Sequence, residues 1–262
     1  QFVRWGASGG FPVIALAPSN VAECYSLTRR AFDLAERFRC PVFLLTDKEI
    51  FQSMHTVELD TYEQPPVRSR RLAPADEPFV PYRFEPLDAP PPFSPIGGEH
   101  ITRFTGSSHD EQGFLTKDPA KVGRLNEHLR RKIEDHPDEI ELVHTDLAPG
   151  AATLCIAYGI TARGQAAAAR EARAAGRAVS ALTLQTLWPV PEAAILAAVT
   201  EMQATLRRIV VAELNLGEYR REVERIVYRW AAQGRHAPPE IVGINRVDGE
   251  LITPGQFMEA VC

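Results

Sequence analysis

Between Thr153 and Tyr219 short apolar runs alternate with helix-length segments, and that alternation leaves the chain few ways to fold. The run Leu154–Tyr158 stops at Gly159, and residues 160–163 open an alanine-rich helix that Gly176 can close as a left-handed cap. Ala178–Leu184 is the next apolar run. Because a residue before proline is pushed out of the α region, Trp188–Pro191 predicts an extended turn, and a helix follows from Pro191 to about Leu206. Arg208–Glu213 is short, β-branched and nearly all apolar, which suits a strand covered on both faces. A helix from Glu218 to about Ala232, a strand at Glu240–Asn245 and a short helix opened by Thr253–Pro254 complete the series. Such alternation specifies the α/β class, with a parallel, doubly wound sheet. Ligands and partners meet these sheets at the carboxyl ends of the strands. Glu213, Asn215 and Gly217 stand there, as candidates for an interface or for support of one.

The first fifty residues read as a smaller strand–helix–strand unit. Phe11–Ala17 and Pro41–Leu45 are its strands, and Asn20 with Glu23 three residues later is a capping-box-like helix start. Val21, Cys24, Thr28, Ala31, Ala35 and Phe38 fall on one helical face, expected to be the buried one. Asp47 follows the second strand and is a further strand-end candidate. One helix is too little to cover two strands that are apolar on successive residues. The unit therefore calls for preceding residues of a longer chain, or for a partner.

From Ile50 to Ile96 the composition shifts, with ten of the twenty-one prolines in this stretch. Pro65–Pro66 and Pro90–Pro92 cannot sit inside a helix or a central strand. The interleaved Tyr62, Phe79, Tyr82, Phe84 and Phe93 predict an arm packed on its own domain or on a neighbouring subunit, rather than a solvated spacer. Next comes the stretch with the richest chemistry. Gly106, Ser107, Ser108, His109, Asp110, Glu111 and Gly113 set hydroxyls, an imidazole and acids between glycines that allow close backbone approach to a ligand. A capped turn whose polar side chains bond their own backbone is the alternative. Asp118–Pro119 starts a helix with the stripe Val122, Leu125, Leu129 and Ile133, which places Arg130–Lys132 on its solvated side.

A formal charge of -5 argues against a general nucleic-acid binder, and no apolar run is long enough to cross a bilayer. Cys24, Cys40, Cys155 and Cys262 show no close pairing, so neither a zinc site nor an iron–sulfur cluster is encoded, and free thiols fit a reducing cytoplasm. His100, His109, Asp110 and Glu111 match no recognised metal-ligand spacing.

Four pieces carry a resemblance: residues 158–163, Thr186–Pro189, Glu213–Glu218 and Gly249–Pro254, in that order. Together they resemble the transketolase C-terminal-like domain of the α subunit of 2-oxoacid:ferredoxin oxidoreductases, most closely the 2-oxoglutarate type. Ala17–Cys24, Ala31–Glu36 and Pro41–Asp47 are similar to the end of that family's pyrimidine-binding domain. The resemblance implies three parts: residues 1–49 as the end of the pyrimidine-binding domain, an incomplete parallel sheet; residues 50–150 as a Pro-rich arm, active-site loop and connecting helix; and residues 151–262 as the C-terminal-like domain. It also implies oxidative decarboxylation of a 2-oxoacid with CoA to an acyl-CoA. Thiamine diphosphate, Mg2+ and a [4Fe-4S] cluster would lie mainly on a partner β subunit, with ferredoxin or another acceptor taking the electrons. The family's Tyr-Pro-Ile-Thr-Pro and Gly-Pro-Ser-Thr-Gly strings are absent, as is a Gly-Asp-Gly signature, so no catalytic residue is assigned outside the loop 106–113, expected near the thiamine site. The same chemistry on pyruvate or another 2-oxoacid or with NAD(P), a dehydrogenase E1 β-type subunit, and a non-catalytic scaffold stay open.

Overall fold

A computed structural model of the chain describes residues 2–5, 11–58 and 67–261; Tyr62, Pro65, Pro66 and Cys262 lie outside the described residues. In chain order the elements are α1 (Phe2–Trp5), β1 (Ile14–Leu16), α2 (Val21–Phe38), β2 (Val42–Leu44), α3 (Lys48–Phe51), α4 (Pro119–Glu134), α5 (Pro137–Ile140), β3 (Val143–Asp146), β4 (Thr153–Tyr158), α6 (Thr161–Ala174), β5 (Val179–Leu184), β6 (Thr186–Trp188), α7 (Glu192–Glu201), β7 (Arg208–Glu213), α8 (Glu218–Gly234), β8 (Glu240–Asn245) and α9 (Pro254–Val261). The described residues fall into two compact units, one of residues 2–5, 11–14, 29–43 and 67–140, the other of 15–28, 44–58 and 141–261.

The second unit is built on a five-stranded sheet in the order β3-β5-β4-β7-β8. β4 pairs in parallel with β5 and β7, and β7 with β8. Successive residues of β4 and β7 serve opposite layers. Leu154, Ile156, Ile209 and Val211 pack with Ile195 and Val199 of α7 and with Val223, Ile226 and Val227 of α8. Cys155, Ala157, Val210 and Ala212 instead meet Ala168 and Ala172 of α6 and Phe257 of α9. Each fully buried aliphatic side chain is worth roughly 1.5–3 kcal/mol, so this double-sided burial is the main driving force of the unit. Small residues on the second face let α6 come close, and a Cβ on Gly164 would lie only 2.9 Å from the Ile252 carbonyl oxygen. Gly176 closes α6 at φ +78, with Arg177 N–H donating to Ala172 O at 2.9 Å and Gly176 N–H to Arg173 O at 3.0 Å. The one long polar side chain buried on this face, Gln165, donates to the carbonyls of Cys155 (2.6 Å) and Leu182 (3.2 Å) and accepts from Thr183 (3.1 Å).

Several expectations need correction. α7 ends at Glu201, not near Leu206. Ahead of the expected series stands β3, which closes the sheet edge antiparallel to β5. Thr186–Trp188, at the start of the extended turn expected over Trp188–Pro191, is a strand, with Ala15 opposite Trp188 and Leu16 opposite Thr186 in antiparallel pairing. β1 is fully buried and its backbone groups require partners, which β6 supplies. Both N-terminal strands are only three residues long.

α2 starts as its sequence predicts, with Asn20 Oδ1 accepting from Glu23 N–H at 2.9 Å. The Glu23 carboxylate reaches Ser19, not Asn20, accepting from its N–H and its hydroxyl at 2.8 Å each. The buried face is also turned from the expected one: Ala22, Leu27, Asp33, Leu34 and Phe38 are inside, and Thr28 is exposed. Large apolar side chains decide such a face, whereas alanine and threonine spacing counts for little.

In the first unit the described arm from residue 67 to 118 has no helix or named strand, yet it is packed. Phe84 and Ser94 are buried, and Phe93 brackets Arg71 and Ala73 with backbone hydrogen bonds of 2.8 and 2.9 Å. Arg68 fastens the arm to α2. The Asp33 carboxylate, 1% exposed, accepts from the Arg68 backbone N–H (3.0 Å), from its guanidinium (2.8 Å, twice) and from Arg30 (2.8 Å). Arg68 also pairs with Glu139 at 2.7 Å, and Arg70 pairs with Glu36. Burial alone would push the Asp33 carboxyl up, but the Arg68 hydrogen bonds and the charges of Arg68 and Arg30 outweigh it and hold the carboxyl below its ordinary range. A depressed carboxyl contributes stability that is present above its unfolded pKa and lost as pH falls through the folded one. Urea unfolding of Asp33→Ala should show a loss of about 3 kcal/mol at neutral pH. The wild-type midpoint should fall as pH drops below about 4. An Asp33→Ala protein within 0.5 kcal/mol of wild type would remove this network as the arm's anchor.

Candidate functional site

The loop from Thr105 to Thr116 holds its shape by backbone bonding between Thr116 N–H and Ser108 O (3.0 Å) and between Asp110 N–H and Phe114 O (2.9 Å). Asp110 is the pivot: its Oδ1 accepts from Gln112 N–H at 3.1 Å and from Phe114 N–H at 3.0 Å. That is the local capping that short acidic side chains favour. Gly113, at φ +81, has Arg103 and Tyr82 so close that a Cβ would lie 2.7 and 3.0 Å from them. Gly106 has open space in front of it. Glu111 hangs over Arg124 at 3.8 Å, and its carbonyl accepts from Tyr82 N–H at 3.0 Å. Asp110, Glu111 and Gly113 thus build the loop, while Gly106 to His109 are free to face a ligand.

His109 is the loop's imidazole. Its Nδ1 lies 2.7 Å from Ser107 O, and since a carbonyl only accepts, Nδ1 carries the proton. In the neutral ring the lone pair is therefore on Nε2, which is buried and has no hydrogen-bond partner among the described residues. The ring rests on Tyr82 with centroids 4.0 Å apart. Gly106, Ser107, Ser108 and His109 line a cavity of about 230 Å³ together with Arg39, Tyr82, Phe84, Leu125, His128 and Lys132. No acidic side chain is among its lining residues.

The cations in this cavity are not among the residues expected at a site from the sequence. Lys132, expected on the solvated side of α4, is 5% exposed. Burial pushes its ammonium down to about 8, with Cys40 opposing and the Arg39 charge adding to the depression. Its Nζ donates to Arg39 O at 3.3 Å. Arg39 follows α2 at φ +46, a left-handed conformation unusual for a non-glycine residue, and donates to Pro91 O at 2.7 Å and Pro92 O at 3.2 Å. His128 stacks on Phe84 at 3.9 Å and an interplanar angle of 5°, with Nδ1 2.7 Å from Leu87 O. Burial pushes it down to about 4, so it is neutral at physiological pH. A signal was present: helical spacing that turns Leu125, Leu129 and Ile133 inward also turns His128 and Lys132 inward. Arg130 and Arg131 are solvated, paired with Glu127, Glu134 and Asp135.

The strand-end residues of the second unit form a separate group. Glu213, fully buried, accepts from the N–H groups of Tyr219 and Arg220 at 2.9 Å and from the Tyr158 hydroxyl at 3.2 Å. Asn215 Oδ1 accepts from Gly217 and Glu218 N–H at 2.9 Å, and its Nδ2 donates to Tyr158 at 2.8 Å. Gly217 takes φ +87 as the N-cap of α8. These residues anchor the start of α8 at the point where strand order reverses between β4 and β7. Asp47 does the equivalent for α6, accepting from Ile160 N–H at 2.6 Å, and its carboxyl is pushed up by burial.

Residues 2–127 match the family model described as "Pyruvate flavodoxin/ferredoxin oxidoreductase, thiamine diP-bdg", and residues 151–257 match "Pyruvate:ferredoxin oxidoreductase core domain II". Two archaeal proteins named 2-oxoglutarate synthase subunit KorA, from Methanothermobacter thermautotrophicus and Methanocaldococcus jannaschii, are each 32% identical over 98% of the chain. The chain belongs to the 2-oxoacid:ferredoxin oxidoreductase family. It spans 65% of the length of those two relatives. The fold agrees with a solved oxidoreductase of this family, 2-oxoglutarate:ferredoxin oxidoreductase from Magnetococcus marinus, at TM-score 0.82 and 21% identity, over 99% of this chain and 44% of that one.

Among the described residues no group of three His, Cys, Asp or Glu side chains stands close enough together to hold a metal ion.

A buried, charged lysine costs stability until it is deprotonated. With a folded pKa below the unfolded one, the penalty is complete below about 8 and is relieved as pH rises towards 10.5. Lys132→Met should therefore be more stable than wild type at pH 7 in urea unfolding, with the gap narrowing above pH 8. A less stable variant at pH 7 would mean that the ammonium is already compensated.

Proposed function

We propose that the chain is the α-type subunit of a 2-oxoacid:ferredoxin oxidoreductase whose acid is 2-oxoglutarate. The reaction converts the oxoacid and CoA to succinyl-CoA, carbon dioxide and a proton, and sends two electrons singly to ferredoxin. A partner β subunit would hold thiamine diphosphate, Mg2+ and a [4Fe-4S] cluster, in the cytoplasm and with no role for nucleic acid or membrane. Among the described residues no helix is long and apolar enough to cross a bilayer. The observation that carries the reading is the acid-free cavity behind Gly106–His109, in a chain similar to 2-oxoglutarate synthase subunits along nearly all its length.

On this reading residues 1–49 end the pyrimidine-binding domain, 50–150 hold the arm, loop and connecting helix, and 151–262 form the C-terminal-like domain. Gly106, Ser107 and Ser108 shape the substrate pocket, and Asp110, Glu111 and Gly113 keep that shape. His109 can accept a proton at Nε2, the nitrogen left free once Nδ1–H is committed to Ser107 O. Asp47, Glu213, Asn215 and Gly217 support an interface surface rather than the chemistry.

In the assembled enzyme His109→Gln should lower kcat by about 100-fold or more while subunit association survives. Unchanged kinetics would take the loop out of the site. Absence of CoA-dependent ferredoxin reduction with 2-oxoglutarate in the wild type would overturn the reading itself.

A further inference from the structure

We propose that the cavity between the Gly106–His109 loop and α4 is a binding site for a small carbon-chain carboxylate, anchored by Lys132 and Arg39. The proposal deepens the reading above by naming the ligand class and its anchors, and it rests on that reading only for the identity of the physiological acid.

Four observations converge on it. First, the lining holds a lysine, an arginine, two histidines and the hydroxyls of Thr105, Ser107 and Ser108, with no carboxylate to neutralise them. Lys132 is 5% exposed and its ammonium, with three protons to donate, has one acceptor at 3.3 Å. A buried cation so poorly matched is costly by itself and becomes favourable when an anion enters. Second, His109, whose Nε2 is buried without a hydrogen-bond partner among the described residues, belongs to the same lining. Third, the rest of the wall is apolar: Tyr82, Phe84, Leu125 and Leu129 stand beside the cationic groups. Bare phosphate would gain nothing from those side chains, whereas the methylenes of a short carboxylate would be covered by them. Fourth, the cavity, about 230 Å³, exceeds the roughly 150 Å³ that takes a molecule the size of benzene, so it admits an acid of a few carbons.

Arg39 has a second role in this geometry. Its carbonyl holds the Lys132 ammonium while its guanidinium is steadied by Pro91 and Pro92, so one left-handed residue places both cations of the site. The site is thus assembled from the end of α2, the arm and α4.

The test uses thermal unfolding of the intact protein with glutarate, with propionate and with inorganic phosphate as probes. Glutarate should raise Tm in a saturable way, phosphate should do so far less, and Lys132→Met should weaken the glutarate affinity tenfold or more. Arg130→Gln, an exposed change on the same helix, should respond like wild type. No shift with either carboxylate, an equal shift with phosphate, or an undiminished shift in Lys132→Met would each overturn the proposal. In turnover assays glutarate competing with 2-oxoglutarate identifies the occupant as the substrate acid, and non-competitive behaviour identifies a separate effector acid; both place a carboxylate here. A glutarate response in a protein without 2-oxoglutarate turnover would sink the functional reading and leave this site standing.

Discussion

A strand that is apolar on every residue must be covered on both faces, and β4 and β7 impose that requirement on the whole second unit. Leu154, Ile156, Ile209 and Val211 demand one helical layer, and Cys155, Ala157, Val210 and Ala212 demand another. The difference in size between those sets then decides how each layer packs. Bulky side chains keep α7 and α8 at a distance filled by their own aliphatic residues, while alanines and Gly164 allow α6 to lie close. Once both layers are in place the strand ends are fixed, and the buried Glu213 carboxylate finds its donors at the start of α8. The residues there bond one another, which is a supporting role.

The first unit is held by different forces. Its arm has no regular structure to satisfy its backbone, and its order comes from charged side chains reaching across: Arg68 to Asp33, Arg70 to Glu36, and Arg39 to the prolines at 91 and 92. Asp33 is the most consequential, because a carboxylate 1% exposed is tolerable only while its guanidinium partners are present. The same unit keeps a second buried charge, Lys132, with far weaker compensation. That contrast separates a charge used to hold the fold from one kept at a cost beside a cavity.

The loop 106–113 divides its residues by the same logic. Asp110 spends its carboxylate on the N–H groups of Gln112 and Phe114, and Gly113 is there because no side chain fits at φ +81 against Arg103 and Tyr82. What the loop does not use on itself lines the cavity: three small residues and His109.

Sequence alone determined the α/β class, the order of strands and helices from Thr153 onward apart from β6, the α6 cap at Gly176 and the helix start at Asp118–Pro119. These are local matters, set by periodicity of two or 3.6 residues and by the chemistry of glycine, proline and capping side chains. Tertiary structure decided the antiparallel strands β3 and β6, which exist only because β5 and β1 offer unpaired backbone. It also decided the rotation of α2, where Leu27 and Leu34 outweigh the smaller residues of the expected stripe while Phe38 is buried as expected, and the burial of Lys132 and His128. Lysine and arginine read as solvent-facing in any local count, and only the arrangement of α2, the arm and α4 around one cavity turns Lys132 and Arg39 into its lining, because burial is a property of the assembled fold rather than of the residue.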